Sequence, residues 1–247
     1  MEISVKTDID KLLPKLAAVG SRQVPFVVAM ALTRTGKLAQ EEVKKSMPKV
    51  FDRPTPYTLN STYLRPATRQ RLEALVKIKD EAFKGIPANK FLHAQAFGGG
   101  RNMKRSERSL QIKGYLKDNQ QVVPGKGATL DGYGNIRAGA MSKILSAVQA
   151  SADPYQNETT ASRKRGRTRK RKAEYFVGAP GGGRLPMGVW QRSGFAFGSA
   201  IKPILIFTKP GRYKKRLPFH DVVTKVTRDN FEAQLYVAIE RALATAR

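Results

Sequence analysis

A chain that carries 46 lysines and arginines against 19 acidic residues, for a formal charge of +27, can only fold into a body that spreads that charge over its surface. Self-repulsion opposes compaction unless a polyanion or an acidic partner neutralises it. Eight of the cations fall in one ten-residue run, Arg163 to Lys172 (RKRGRTRKRK), and without them the chain still has 38 cations against 19 acids. The basic character therefore belongs to the whole 247-residue molecule, not to a detachable tail. With 40% hydrophobic residues a packed core is available, so disorder throughout is not expected.

Other classes are narrowed by what is missing. The chain has no cysteine, hence no disulfide and no thiolate, which fits a reducing cytosolic origin. The opening MEISVKTDID lacks a basic segment followed by an apolar one, so no signal peptide is expected. The apolar stretch Pro25–Leu32 is too short to span a bilayer, and no membrane span is expected.

Periodicity supplies the elements. Ile3–Val5 reads as a short edge strand, and Thr7 or Asp8 can cap a helix carrying Leu12, Leu13, Leu16 and Val19 up to Gly20. From Ser21 to about Ser46, Val24, Val27, Val28, Ala31, Leu32, Leu38, Ala39 and Val43 recur at helical spacing. Pro48, Pro54 and Pro56 then predict an extended stretch over Lys49–Asn60. Ser61–Arg65 and Leu72–Lys79 read as paired strands. Helices are predicted at Ala88–Phe97, Asn102–Leu116 and Arg137–Ala150, with the turn-rich VPGKGATLDGYGN between the last two. Glu174–Gly178, Gly188–Arg192 and Pro203–Thr208 read as strands. The chain closes with a helical piece from Phe219 to about Val226 and an amphipathic helix from Asp229, with Phe231, Leu235, Ile239 and Leu243 on one stripe. Strands segregated from helices predict an α+β fold, with the long N-terminal helix and the C-terminal helices packed on a small, mainly antiparallel sheet. The expected division is a core of 1–84 plus 174–247, with 85–173 as a helical, Gly-rich insertion or arm.

No pattern predicts catalysis, a metal or a cofactor. The two histidines, His93 and His220, are far apart in sequence and belong to no HExxH motif. His220 and Asp221 are neighbours on a predicted helix and point apart, as do Glu41 and Glu42. Gly125-Lys126-Gly127 and Gly181-Gly182-Gly183-Arg184 place glycine near a cation but match no phosphate-loop pattern, and are read as turns. Asp131–Asn135 lacks calcium-loop spacing.

Binding is better supported. The run Arg163, Lys164, Arg165, Arg167, Arg169, Lys170, Arg171 and Lys172 is read as a polyanion-binding arm whose contacts go to phosphates. Lys214, Lys215 and Arg216, in KPGRYKKR, form a second candidate site. Arg101, Lys104, Arg105 and Arg108 could make one basic helix face. Tyr213 lies among cations, but one aromatic is not a single-strand platform. Trp190, Phe195, Phe197, Phe207 and Phe219 are assigned to the core.

VPFVVAMALTRTGKLAQEEVKK (Val24–Lys45) resembles the first long helix of the minor tail protein Z and tail-completion families of tailed bacteriophages. IKPILIFTKPGRYKKRLPFHDVVTKVTRDNFEAQLYVAIERALA (Ile201–Ala244) resembles their strand, basic turn and closing helices, and FVGAPGGGRLPMGVWQR (Phe176–Arg192) the strand–turn–strand before them. Over the whole chain the pattern is most similar to an uncharacterised virion protein of temperate short-tailed phages. That resemblance implies a virion component of the neck or tail, assembled in the host cytoplasm as a multi-copy ring. Its partners would be portal, neck or tail proteins, with DNA contact through the basic surface. It implies no catalytic residues. The alternative is a non-enzymatic, sequence-independent nucleic-acid-binding protein. A third reading, a phosphoryl-transfer enzyme in the middle region, needs a carboxylate cluster around Asp118 or Asp131.

Overall fold

A computed structural model describes residues 22–83, 85–161, 174–195 and 198–245. The expected strand Ile3–Val5, the helix carrying Leu12 to Gly20, the basic run Arg163–Lys172 and Phe197 lie outside the described residues. In chain order the elements are α1 (Val24–Val50), α2 (Pro56–Leu59), β1 (Thr62–Arg65), β2 (Leu75–Ile78), α3 (Ala88–Phe97), α4 (Arg105–Ile112), β3 (Gln121–Pro124), α5 (Ala138–Ala147), β4 (Glu174–Gly178), β5 (Gly188–Phe195), β6 (Gly198–Thr208) and α6 (Phe219–Thr245). The class is α+β, with long first and last helices and small antiparallel sheets. The chain forms two compact units, one running to Gly99 and resuming at Tyr213, the other Gly100–Arg212.

In the first unit α1 buries Val27, Ala31, Thr35, Ala39, Val43 and Met47, every fourth residue. At 3.6 residues per turn each step overshoots by about 40°, so the stripe winds roughly 200° around the helix. Its two ends consequently meet different partners. Val27 and Ala31 pack with Phe231, Leu235, Ala238, Ile239 and Ala242 of α6. Ala39, Val43 and Met47 pack with Val76 and Ile78 of β2, Ala88 and Leu92 of α3, and Leu217, Phe219 and Val223. The pairing of starts with ends makes α1 and α6 antiparallel. The hairpin β1–β2 is pinned to α1 by Gln40 Nε2 donating to the Thr62 carbonyl at 3.2 Å and Lys44 Nζ to Asn60 Oδ1 at 2.8 Å.

Two expectations change here for one reason each. Lys49–Asn60 is not extended throughout: α1 continues through Pro48, and Pro56 opens the short α2, capped by Thr55 Oγ1 accepting from the Thr58 N–H at 3.2 Å. Proline at a first helical position lacks only an N–H that has no intrahelical partner, and its fixed φ already suits a helix. The closing segment is one continuous helix. Thr227 Oγ1 and Asn230 Nδ2 donate to the Val223 and Val226 carbonyls where the two expected helical pieces run into each other. Leu243 is 41% exposed, because three strict four-residue steps from Phe231 carry it about 120° off the seam, whereas Ala238 and Ala242 stay on it.

The second unit is built on one antiparallel sheet in the order β3–β6–β5–β4. Leu110 and Leu116, Val122 of β3, Ile144, Leu145 and Val148 around α5, Val189 of β5 and Ile204, Leu205 and Phe207 of β6 form its core. Strands 174–208 thus share a sheet and a core with residues of the middle region, and the grouping differs from the expected one of 1–84 plus 174–247 against 85–173. The difference traces to β3, which Pro124 and the following glycines disguise as a turn. In β6 the consecutive residues Ile204 and Leu205 are both buried, against the alternation of a strand. The pairing explains it: Val189 faces Leu205 and Trp190 faces Pro203, leaving Ile204 as the extra residue of a bulge, where a proline inside a sheet is tolerated. The helix expected over Asn102–Leu116 is Arg105–Ile112, ended by Gly114 at φ 80°.

Candidate polyanion-binding surface

Of the sequence-predicted binding residues, Lys214, Lys215 and Arg216 lie among the described residues, and all three are exposed. Arg163, Lys164, Arg165, Arg167, Arg169, Lys170, Arg171 and Lys172 lie outside them. The 213–217 segment is held against the C-terminal end of α3. The N–H groups of Arg216 and Leu217 both donate to the Gln95 carbonyl, at 2.8 and 2.9 Å. That carbonyl is one of the last-turn acceptors a helix leaves without an intrahelical donor. Gly98 closes α3 at φ 81°, and a Cβ there would come within 3.2 Å of the Tyr213 carbonyl oxygen, so only glycine lets the two backbones run this close. The three cations therefore sit at the negative end of a helix dipole. Lys215 Nζ is paired with Asp221 Oδ2 at 3.0 Å, an exposed bridge worth about 0–1 kcal/mol. Among the described residues, Lys214 and Arg216 are joined to no carboxylate.

Three rings that sequence reasoning did not connect meet at the same place. His93 and Phe97 are one turn apart on α3, with ring centroids 4.9 Å apart, and Phe97 lies 5.9 Å from His220 at the start of α6. His220 in turn meets the buried Phe219 edge-on at 5.7 Å. Phe97 is 53% exposed. The spacing of His93 and Phe97 was legible as one helix face. Their meeting with His220 depends on the Gln95 carbonyl gathering the 213–217 segment, which no spacing reveals. Asp221 pairs with Lys215 while His220 faces rings, so the two neighbours do go to different partners.

The other basic cluster does not form a free face. Arg101, with a side chain only 15% exposed, is consumed by the fully buried carboxylate of Glu107. Arg101 Nη1 donates to Glu107 Oε2 at 2.8 Å and its Nη2 to Oε1. The backbone N–H of Lys104 donates to Oε2 at 2.7 Å, and that of Val122 to Oε1 at 2.8 Å. Each oxygen takes two donors, the full capacity of a carboxylate. Burial alone would raise its pKa; the Arg101 fork and the two N–H groups outweigh that and hold it below the ordinary 4.5. Glu107 is a clamp joining the Arg101 segment, the first turn of α4 and β3. Arg105 and Arg108 remain exposed on α4.

Several amides of the glycine loops are committed to backbone carbonyls. Gly125 and Gly127 donate to the Ile204 and Pro203 carbonyls at 2.9 Å each, extending the β3–β6 ladder. Gly183, Arg184 and Leu185 donate to Ala179, Gly181 and Pro180 within the β4–β5 connection. Asp131 Oδ1 accepts from the Tyr133 and Asn135 N–H groups at 2.9 Å each, shaping its own turn. Asp118 takes the Gln111 amide. Among the described residues no three His, Asp or Glu side chains gather as a metal site would require, and no helix is long and apolar enough to cross a membrane. In the first unit an apolar groove of about 390 Å³ runs between Phe26, Met30 and Thr33 of α1 and the 66–69 segment, with the Arg69 guanidinium 4.9 Å from the Phe26 ring centre. No carboxylate or histidine lines it.

No family model, curated protein or solved structure matches this chain.

Proposed function

We propose that this chain is a non-catalytic structural component of a tailed-phage particle, placed in the neck or tail in several copies. It holds portal, neck or tail proteins, and packaged DNA, through its cationic surface. The observation that carries the reading is the mismatch between +27 of charge and the few carboxylates present to neutralise it. Those carboxylates are already engaged where they matter: Glu107 inside a clamp, Asp221 on Lys215. The charge in excess of the acids is left to an external polyanion. The antiparallel pairing of α1 with α6 is also in keeping with the tail-protein resemblance, which rests on those two segments.

Mass spectrometry of purified particles tests the placement. A fixed copy number relative to the portal is expected, and absence from particles that are otherwise complete overturns it. The polyanion contact is tested by titrating a DNA duplex across a salt series. Binding should weaken steeply with salt, and replacing Lys214 and Arg216 with glutamine should reduce the log–log slope by about 2, roughly one per lost phosphate contact.

The second reading, a sequence-independent nucleic-acid-binding protein acting outside any particle, is favoured by one observation, the rings at the helix end against which the segment of Lys214 and Arg216 is held. Salt-sensitive binding by the isolated monomer, with no chain in particles, selects it.

A further inference from the structure

We infer that the C-terminal end of α3, with the 213–217 segment and the start of α6, is a stacking site for an unpaired base of single-stranded nucleic acid. On α3 the chain buries Ala88, Leu92, Ala94 and Ala96, all at most 2% exposed, and packs Phe91 against the same core. His93 and Phe97 each follow Leu92 and Ala96 by one residue, about 100° around the helix, and belong to no core. Phe97 is a large apolar ring, half exposed, on a strongly basic molecule. Its neighbours hold it without covering it: the His93 and His220 rings are tilted by 47° and 50° to the phenyl plane, so neither lies flat over its face.

Charge complementarity names the occupant. The segment carrying Lys214 and Arg216 is fixed against the end of α3, on either side of Phe97 in sequence, by the two N–H donations to Gln95 and by the close approach at Gly98. Asp221 is offset by Lys215, which leaves the strip net positive. Cations alone would grip any polyanion, including duplex DNA, whose bases are hidden in the stack. Rings interleaved with cations add something only where a base is free to leave its neighbours and lie on an aromatic face. The imidazoles each bring a donor and an acceptor to the edge of such a base. Stacking at Phe97 presupposes that the cationic surface proposed above holds phosphates, and it specifies which form of nucleic acid this part of that surface prefers.

The test uses the full chain and three probes of one length, about 15 nucleotides: an oligothymidylate, the same backbone without bases, and a duplex. Fluorescence anisotropy at one salt concentration is expected to show the oligothymidylate binding about tenfold tighter than the abasic strand, the size of one base–aromatic contact. Phe97→Ala should erase that difference and leave the abasic and duplex affinities unchanged, while Lys214→Gln with Arg216→Gln should weaken all three probes alike. Phe97→Trp should retain the preference, and its emission should be quenched by the oligothymidylate and not by the abasic strand. Equal affinity of the natural chain for base-bearing and abasic strands overturns stacking, as does a preference that survives Phe97→Ala. So does loss of self-association in Phe97→Ala at an unchanged preference, which would assign the ring to a contact with a second copy. If duplex and abasic strand bind without any ring-dependent preference, stacking alone fails. If no probe binds, the polyanion reading falls with it.

Discussion

The two units solve the same problem by different means. Both must compact a chain in which cations outnumber acids by more than two to one. The first does so with an apolar seam: α1 and α6 run antiparallel, and among the described residues none of its carboxylates is buried. Asp52 and Asp80, whose pKa values are drawn down by hydrogen bonds from Arg53 and Lys77, are both exposed. The second unit places a carboxylate at its centre. Glu107 is fully buried and ties together three segments that are separate in sequence. A seam distributes its stability over many small contacts, whereas a clamp concentrates it in one group whose removal strips the mostly buried Arg101 guanidinium of its carboxylate and leaves two amides without that acceptor.

That contrast predicts where each unit breaks. Glu107→Ala should cost the second unit about 3–5 kcal/mol, the range for breaking one side of a buried pair. Hydrogen exchange is the measurement: amides of α4 and β3 should lose protection while those of α1 and α6 keep theirs. Uniform loss, or none, would mean that the clamp does not define the unit. Acid should act on the same group. Its pKa is lower folded than unfolded, so its contribution is fully present above the ordinary 4.5 and is lost as pH falls through the folded value. Protection of the Val122 amide should therefore hold at neutral and mildly acidic pH and decline below about pH 4.5, and Glu107→Gln should flatten that decline.

The seam is the next most sensitive place. Leu235 is fully buried between Val27 and Ala31 and its own helix neighbours. Leu235→Ala should cost about 2–5 kcal/mol by transfer and cavity terms together. Thermal unfolding should report it, with the exchange pattern reversed from that of Glu107→Ala: α1 and α6 exposed first, the β3–β6 ladder unaffected. A shared pattern in the two variants would erase the distinction between seam and clamp.

The same contrast decides what the sequence makes readable. The seam is periodic, so Val27, Ala31, Ala39, Val43, Leu235 and Ile239 could be assigned from spacing alone, as could the α+β class and α3 to the residue. The clamp is not periodic. Glu107 sits in a cation-rich stretch where it reads as one more surface charge, and two of its four donors are backbone amides, one of them fifteen residues away in a strand that Pro124 conceals. Mistaking that strand for a turn also moved 174–208 into the wrong company. The candidate site divides likewise. Lys214, Lys215 and Arg216 are visible as composition, but Phe97 and His220 reach them only through the Gln95 carbonyl, a tertiary hydrogen bond with no signature in spacing. His93 and His220, dismissed as a metal pair, turn out to be neighbours of one phenylalanine.

The smallest expected effect tests whether the sheet of the second unit is as rigid as its backbone contacts imply. Gly188 opens β5 opposite Ile206, next to the bulge, and a Cβ there would stand 2.2 Å from the Leu205 carbonyl oxygen and 3.2 Å from the Ile206 Cα. Backbone atoms cannot rotate away as a side-chain end would, so Gly188→Ala must push β5 off β6 or distort the strand locally. Overpacking of this kind costs about 1–3 kcal/mol. The shift should weaken the pairing of Gly188 with Ile206 and of Val189 with Leu205 and leave the far end of the hairpin, Ser193 with Ala200, intact. Exchange at these amides separates the two outcomes. Loss of protection confined to the bulge end means that the second unit is clamped at Glu107 and merely laced together here. Loss along the whole hairpin means that the close contact at Gly188 is a second fixed point, and that the unit rests on steric fit as much as on its buried charge.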